Sequence, residues 1–361
     1  MPAPVVESLF GATPHAVIAR VTAALLTAVA VALVFGGWFV RFQRRRRFVE
    51  QIEKGDSQRL DEIQRTKEDT PTMGGVILIV SITVTTLCWA HWDSRSVWLL
   101  LGTVVALGLL GATDDVLKNS RSQSRGLRAR VKFVVQLAIG AALGVVLYVA
   151  PSTADSDIGS AIVVPVVKTA IPLGVFFVVM TSVVIAGSSN AVNLTDGLDG
   201  LAIGCLVIAG LPLAAMAAVA GSADASSSVA SPFIPDGHEI AVFTSSLVGS
   251  GLGFLWFNRH PARIFMGDIG ALALGGALGL VAVLTKKEFL FLLVGGVFVA
   301  EVLSVVLQVA SFKLRGKRVF LIAPLHHHFQ FKGWEETTVT KHFWAAAAIL
   351  AALSLATLQV W

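Results

Sequence analysis

Residues 17–47 read VIARVTAALLTAVAVALVFGGWFVRFQRRRR, an apolar run followed directly by a basic cluster. The run from 17 to 40 is long enough to cross a bilayer as a helix, which takes roughly 20 residues. Lys and Arg are retained on the cytoplasmic side, so the cluster from 41 to 47 predicts that this end of the helix faces inward. The run is too long for a cleaved signal and lacks a basic flank before it, so we expect it to remain as a membrane span.

The composition of the whole chain excludes an ordinary water-soluble domain. Of its 361 residues, 55% are hydrophobic and only 14% are charged, with a mean hydropathy of +0.76. The net charge of +5 does not indicate nucleic-acid binding, because the basic residues flank apolar runs and form no recognised basic module. Cys88 and Cys205 each lie inside an apolar run, so neither a disulfide framework nor a zinc site is expected.

The apolar runs along the chain that approach the length of a membrane span predict an all-α polytopic membrane protein. It would have about ten transmembrane helices and form a single domain over residues 1–361. The predicted spans are 17–40, 73–91, 97–113, 132–150, 170–187, 200–220, 239–257, 268–284, 289–312 and 342–361. Most of the 28 Lys and Arg fall in or beside the loops 41–72, 114–131, 188–199, 258–267 and 313–341. Placing those loops in the cytoplasm puts both termini outside. The outer connections 151–169 and 221–238 are expected to form a small hairpin or helix.

Polar residues recur at the predicted inner ends of several spans, beginning with Asp114 and Asp115. Two carboxylates at a helix carboxyl end oppose the helix dipole and repel each other, so they require a nearby cation. Lys118 supplies part of that charge if the helix continues. The alternative is a solvated pair neutralised by Lys118. The basic stretch that follows, from Arg121 to Lys132, suits either a membrane anchor or attraction of phosphate.

The segment 190–200, NAVNLTDGLDG, places four amides and carboxylates three residues apart, which puts them near one face of a short helical segment. These four residues are Asn190, Asn193, Asp196 and Asp199. Gly197 and Gly200 would let the backbone approach a ligand, or would end the helix. A plain turn would not need this series, so we interpret the segment as part of a site.

Three further motifs allow both a structural and a functional interpretation. Lys67 with TPTMGG at 70–75 is either a simple helix start or one wall of the site. In FMGDIG at 265–270, the acid suits a helix cap, and the ring of Phe265 could either pack in the bundle or stack on a nucleobase. The three histidines at 326–328 diverge in direction, which argues against zinc and favours contacts with phosphate or sugar oxygens, or a role in holding the loop.

The motifs TPTMGG, GATDDVLK, NAVNLTDGLDGLA, FMGDIG and APLHHHF occur in this order. With them the chain resembles the bacterial phospho-N-acetylmuramoyl-pentapeptide transferases, the MraY family within the polyprenyl-phosphate N-acetylhexosamine-1-phosphate transferases, over about residues 17–361. The resemblance implies transfer of phospho-N-acetylmuramoyl-pentapeptide from its UDP carrier to undecaprenyl phosphate, giving lipid I and UMP in peptidoglycan synthesis. It also implies Mg²⁺, a cytoplasmic active-site cleft, the bacterial inner membrane and a homodimer.

The resemblance further assigns roles to individual residues. Asp114, Asp115 and Asp268 match the catalytic acids, with Asp268 and Asp115 as the predicted magnesium ligands. The predicted substrate-binding residues are Lys67, Thr72, Lys118, Lys132, Asn190, Asn193, Asp196, Gly197, Asp199, Phe265, Gly267, Gln308, His326, His327 and His328. Many members have Glu where this chain has Gln330, so a role for a carboxylate there does not carry over.

Mechanistically, a polyprenyl phosphate has a second pKa near ~6 and is already largely dianionic at neutral pH. This favours direct attack on the sugar-linked phosphate over a two-step route through a phospho-aspartate, and it weakens the case for Asp114 as an obligatory base. Two alternative functions stay open. One is a transferase for UDP-N-acetylglucosamine. The other is a secondary transporter, although its ligands should lie near the bilayer midplane rather than at the ends of spans.

Overall fold

The computed structural model describes residues 14–46, 70–118, 126–164, 169–229 and 231–357. Helices dominate, as lipid requires of a backbone that must satisfy its own hydrogen bonds. They are α1 (Pro14–Arg46), α2 (Gly75–Trp89), α3 (Arg95–Lys118), α4 (Ala129–Val149), α5 (Phe176–Thr195), α6 (Leu201–Ala220), α7 (Ala223–Ser228), α8 (Gly237–Asn258), α9 (Gly267–Leu284), α10 (Glu288–Val294), α11 (Gly296–Arg315), α12 (Leu325–Phe331) and α13 (Glu336–Ala356).

Nine of the described helices are long and apolar enough to cross a membrane. A tenth apolar helix, α2, has 15 residues and is shorter than a full span. Each predicted span corresponds to one of these ten helices, and the all-α polytopic fold is confirmed. The chain is therefore a multi-pass membrane protein.

The helix α9 forms the centre of the bundle. All but its first residue are buried, and it packs against α3 and α5. A helix that is apolar on every side can lie either among other helices or in lipid, and the burial of α9 shows that other helices surround it. Its amino end carries Asp268, so the packing of α9 brings that carboxylate to the middle of one end of the molecule.

Three predicted boundaries were wrong. The span predicted at 170–187 begins as a helix only at Phe176. The span predicted at 289–312 is divided at Gly295 into α10 and α11. The predicted loop 188–199 is mostly helix, because α5 continues to Thr195. Its polar side chains reach partners inside the bundle, so the helix can carry them without leaving them unpaired.

The connections at the opposite end from Asp268 are short. Strands β1 (Ala161–Val164) and β2 (Thr169–Pro172) form an antiparallel hairpin in which Ala161 pairs with Pro172. A single 3₁₀ turn precedes β1, and α7 lies in the other connection. The predicted hairpin and short helix are both present.

Candidate functional site

The acidic pair lies in the last turn of α3, which continues to Lys118. Asp114 and Asp115 are both buried. Lys118 Nζ lies 2.9 Å from Asp114 Oδ2, one helical turn away, as predicted for a helix that continues. The carboxylates therefore enter the interior instead of being solvated.

The second acid of the pair is bound by the start of α9. The backbone N–H groups of Asp268 and Ile269 donate to the two oxygens of Asp115 at 3.2 and 3.3 Å. The amino end of α9 carries partial positive charge that offsets the unfavourable carboxyl end of α3. Gly267 has φ +71°, and a Cβ there would lie 2.7 Å from Asp115 Oδ2, so only glycine allows this approach.

Two lysines balance most of the negative charge. Lys132 Nζ, from α4, lies 2.5 Å from Asp268 Oδ2 and 3.2 Å from Asp114 Oδ2. Lys118 Nζ also lies 3.5 Å from Asp268 Oδ1. Three carboxylates thus face two ammonium groups. The arrangement holds one net negative charge if all five groups are ionised.

The three acids could hold a divalent cation. One oxygen from each of Asp114, Asp115 and Asp268 lies within 4.8 Å of the other two. Clustered carboxylate oxygens are the ligands that Mg²⁺ prefers. The donor set therefore fits Mg²⁺. Lys118 and Lys132 already neutralise much of the negative charge of the three carboxylates.

The TPTMGG segment forms the neighbouring wall by pairing with FMGDIG through the backbone. Gly74 N–H donates to Phe265 O at 2.8 Å, and Phe265 N–H donates to Pro71 O at 2.9 Å. A Cβ built on Gly75 would overlap the backbone of Gly270. Thr72 is buried there, with its hydroxyl beside Gly267. The ring of Phe265 is half-buried. Lys67 lies outside the described residues.

The two asparagines of α5 have different partners. Asn193 Nδ2 donates to Asp268 Oδ1 at 2.7 Å and so belongs to the acidic cluster. Asn190 Nδ2 instead donates to the Gln136 side chain and to Ala186 O, both at 2.7 Å. In this structure Asn190 supports the wall of the site through Gln136, and its amide does not donate to any of the three acids.

The acid Asp199 belongs to a second cluster with His260 and Glu336. Asp199 Oδ2 lies 3.1 Å from His260 Nδ1 and accepts from Ala262 N–H at 3.0 Å. Glu336 accepts from the Asp199 N–H at 2.6 Å. Oxygen and nitrogen atoms of these three side chains also lie within 4.8 Å of one another. Asp199 is therefore not grouped with Asp115 and Asp268 around one ion.

The three histidines have three different partners, consistent with their diverging directions. His326 Nδ1 meets Glu301 at 3.1 Å, and His327 Nδ1 meets Gln330 at 2.7 Å. The Leu321 N–H donates to His328 Nδ1 at 3.1 Å. Partial burial lowers the pKa of His328, and Lys332 acts in the same direction. The histidines thus hold the loop 318–331.

Gln308 also holds this loop. Its Oε1 accepts from the N–H groups of Val319 and Phe320 at 3.0 Å each, and its Nε2 donates to Phe320 O at 3.1 Å. The side chain lines a mostly apolar groove beside α11. Its amide is committed to the loop backbone in this structure.

Sequence reasoning missed five residues that connect these elements, four of them buried or half-buried and one, His260, exposed. They are Gln136, Asn258, His260, Glu301 and Glu336. Gln136 and Glu301 stood inside predicted spans, where a polar side chain normally marks an interior contact, so that signal was available. The other three lie next to loops, and nothing in their spacing distinguishes them.

Comparison with known families agrees with this geometry. Residues 97–286 match the sequence profile of glycosyl transferase family 4, which is more than half of the chain. The chain belongs to this family. Residues 67–79 match signature 1 of the phospho-N-acetylmuramoyl-pentapeptide-transferases. The two matches identify it as a member of the MraY / polyprenyl-phosphate hexosamine-1-phosphate transferase family.

Membership of glycosyl transferase family 4 makes the chain a glycosyl-1-phosphate transferase that uses a polyprenyl phosphate. The profile covers the acidic cluster and the whole segment 190–200, and the signature covers Lys67 and Thr72. Gln308 and the three histidines lie beyond both matched ranges.

Proposed function

We propose that the chain transfers phospho-N-acetylmuramoyl-pentapeptide from UDP-N-acetylmuramoyl-pentapeptide to undecaprenyl phosphate, giving lipid I and UMP. The observation that carries this proposal is the cluster of Asp114, Asp115 and Asp268 with Lys118 and Lys132, contributed by three helices inside the family match. Phosphoryl transfer depends mainly on positioning and charge neutralisation, which this cluster can supply. The signature match supports the muramoyl substrate over other hexosamines.

The proposed location of the site is the cytoplasmic side of the bacterial inner membrane. Gln43, within the basic end of α1, donates to Thr72 O at 3.3 Å, so the site and the basic cluster occupy the same end of the bundle. Basic segments remain in the cytoplasm. This supports an inward-facing site with both chain termini outside.

Within the site, Lys118 and Lys132 are proposed to bind the phosphates of the two substrates, since both ammonium groups lie at the acidic cluster. Asp268 and Asp115 are the residues that would hold Mg²⁺. When bound, this ion would neutralise charge on the diphosphate. The segment from Asn193 to Asp199, with Phe265 and Thr72, is proposed to bind the nucleotide.

We favour direct attack by the lipid phosphate, with UMP leaving. Asp114 accepts hydrogen bonds from Leu127 N–H at 2.7 Å and from Lys132 Nζ, besides its ion pair with Lys118. A carboxylate engaged in this way is better suited to positioning the lysines than to attacking phosphorus. Incubating the protein with nucleotide sugar alone tests this, since a phosphorylated Asp would contradict it.

The substrate assignment is tested by UMP release from purified protein, undecaprenyl phosphate and either nucleotide sugar. UDP-N-acetylmuramoyl-pentapeptide is expected to react, and chelation of divalent ions is expected to stop the reaction. Activity with UDP-N-acetylglucosamine alone would favour the alternative transferase. The resemblance also leads us to propose a homodimer, tested by the mass in detergent relative to one chain of 38.0 kDa.

A further inference from the structure

Glu301 is a fully buried carboxylate on the apolar helix α11, with a side chain that is 0% exposed. A charged side chain within a membrane helix is costly unless it is paired, and such residues usually have a function. Glu301 lies outside both matched ranges. Its role must therefore follow from its contacts.

Among the described residues, the hydrogen-bond donors that the Glu301 carboxylate meets all belong to the first turn of α12. Its Oε2 accepts from Leu325 N–H at 2.7 Å, and its Oε1 accepts from His326 N–H at 3.1 Å. Oε1 also lies 3.1 Å from His326 Nδ1. One carboxylate thus ties the histidine segment to α11 by three charge-assisted hydrogen bonds, which are stronger than neutral ones.

The carboxylate determines how the His326 ring is used. A hydrogen bond to Glu301 requires the proton on Nδ1, because a carboxylate can only accept. His326 Nε2 is then directed away from Glu301, and it is buried with no hydrogen-bond partner among the described residues. A Cβ built on Gly197 would overlap this nitrogen. The ring therefore lies directly against the turn between Asp196 and Asp199.

We propose that Glu301 is a positioning residue for the transfer reaction, which holds His326 so that its ring sets the position of the 196–199 turn. The inference rests on the proposed function, in which that turn receives the nucleotide. It explains why a carboxylate is retained inside α11 and why residue 197 is glycine. A purely structural anchor would affect stability and would not selectively change nucleotide binding.

The first test is Glu301→Gln, which keeps the shape of the side chain but places an N–H₂ group against one of the N–H donors. We expect the KM for the nucleotide sugar to rise at least about tenfold, the loss expected for one charge-assisted hydrogen bond, with kcat changed less than about threefold. Glu288→Gln is the matched control, since Glu288 is also buried but lies beside Lys286 and Lys287, beyond the other end of α9 from the acidic cluster. Its KM should equal that of the wild type.

The second test is steric and does not require Glu301→Gln to fold. Gly197→Ala should raise the KM, because its methyl group overlaps His326 Nε2, and adding His326→Ala should lower the KM again by removing the ring. An unchanged KM in Glu301→Gln, or no recovery in the double variant, would reject the positioning role. A wild-type protein that releases no UMP from either nucleotide sugar would instead reject the proposed function, and the inference with it.

Discussion

Lys132 shows how single residues balance the charge of the acidic cluster. Its ammonium group lies between Asp268 and Asp114, which come from α9 and α3 and lie far apart in sequence. Without this group the two carboxylates would repel each other in a partly buried environment. A residue that was predicted only as a substrate contact therefore also stabilises the geometry of the acids.

Lys132→Met is expected to reduce UMP release by about 10- to 100-fold at saturating substrates. This corresponds to the loss of a hydrogen bond between charged groups, which is worth about 1.5–3 kcal/mol. Arg130→Met is the control, because Arg130 is exposed on the same helix. Steady-state kinetics measure both variants. Equal activity of Lys132→Met and Arg130→Met would contradict the placement of Lys132 in the site.

At the scale of elements, the crossing of α2 over α9 is set by glycine. Gly75 lies against the backbone of Gly270, and its own N–H donates to Met266 O at 2.8 Å. The crossing places Thr72 beside the acids. No side chain fits between Gly75 and Gly270. The packing of α2 against α9 therefore requires glycine in both the TPTMGG and the FMGDIG segments.

Gly75→Ala should separate α2 from α9, lowering both thermal stability and turnover. Overpacking of this kind typically costs about 1–3 kcal/mol. The matched control is Gly102→Ala, because Gly102 is helical and nothing lies within 4 Å of its added Cβ. That control should be neutral or gain up to about 1 kcal/mol from helix propensity. Thermal melts in detergent measure both variants. If Gly75→Ala melted at the wild-type temperature, the contact between Gly75 and Gly270 would be looser than this structure shows.

The connection between α9 and the start of α10 contains a second unusual feature, the buried sequence Lys286-Lys287-Glu288. Lys286 Nζ donates to Gly159 O at 2.6 Å, and Lys287 Nζ donates to Ser231 Oγ at 2.8 Å, so the lysines hold the outer connections. The oxygens of Glu288 have no hydrogen-bond partner among the described residues. Burial raises the pKa of Glu288 to about 7 and lowers the pKa of Lys287 to about 7.

These shifts predict how stability depends on pH. Between the ordinary pKa of Glu, 4.5, and about 7, the folded protein binds more protons at Glu288 than the unfolded chain does. The free energy of unfolding should therefore fall as pH rises through this window. Glu288→Gln should melt at the wild-type temperature near pH 5 and at a higher temperature near pH 7. The exposed Glu335→Gln serves as control, and an equal pH response of all three proteins would contradict the prediction.

At the scale of the whole molecule, the acidic cluster and the buried lysines lie at opposite ends of α9, since Asp268 begins this helix and Lys286 follows its end. In the proposed orientation, catalysis occurs at the inner end and the lysine cluster lies at the outer end. The two ends also differ because most of the 28 Lys and Arg lie in or beside the loops at the inner end.

The orientation is tested by two single-cysteine variants, made after both native cysteines are replaced by alanine. Asp157→Cys lies in an outer connection and Lys317→Cys lies in an inner loop, and both positions are exposed. A membrane-impermeant maleimide added to intact spheroplasts should label position 157 and leave position 317 unlabelled until the membrane is opened. The reverse pattern would invert the topology and exclude a cytoplasmic site.

Much of this protein follows from its sequence alone. The ten apolar helices are predicted because crossing lipid imposes a length and a hydropathy that are local properties of the chain. The acids Asp114, Asp115 and Asp268 were also identifiable, because carboxylates at the ends of spans are costly and uncommon.

Only the tertiary structure decided how those residues are paired. The capping of α9 by Asp115, the grouping of Asp199 with His260 and Glu336, and the bond of Glu301 to His326 each join distant parts of the chain. Sequence spacing describes neighbours along one helix, whereas these contacts depend on how helices cross. The crossings are set by close backbone approaches at glycine and by the strong tendency of buried polar groups to find hydrogen-bond partners.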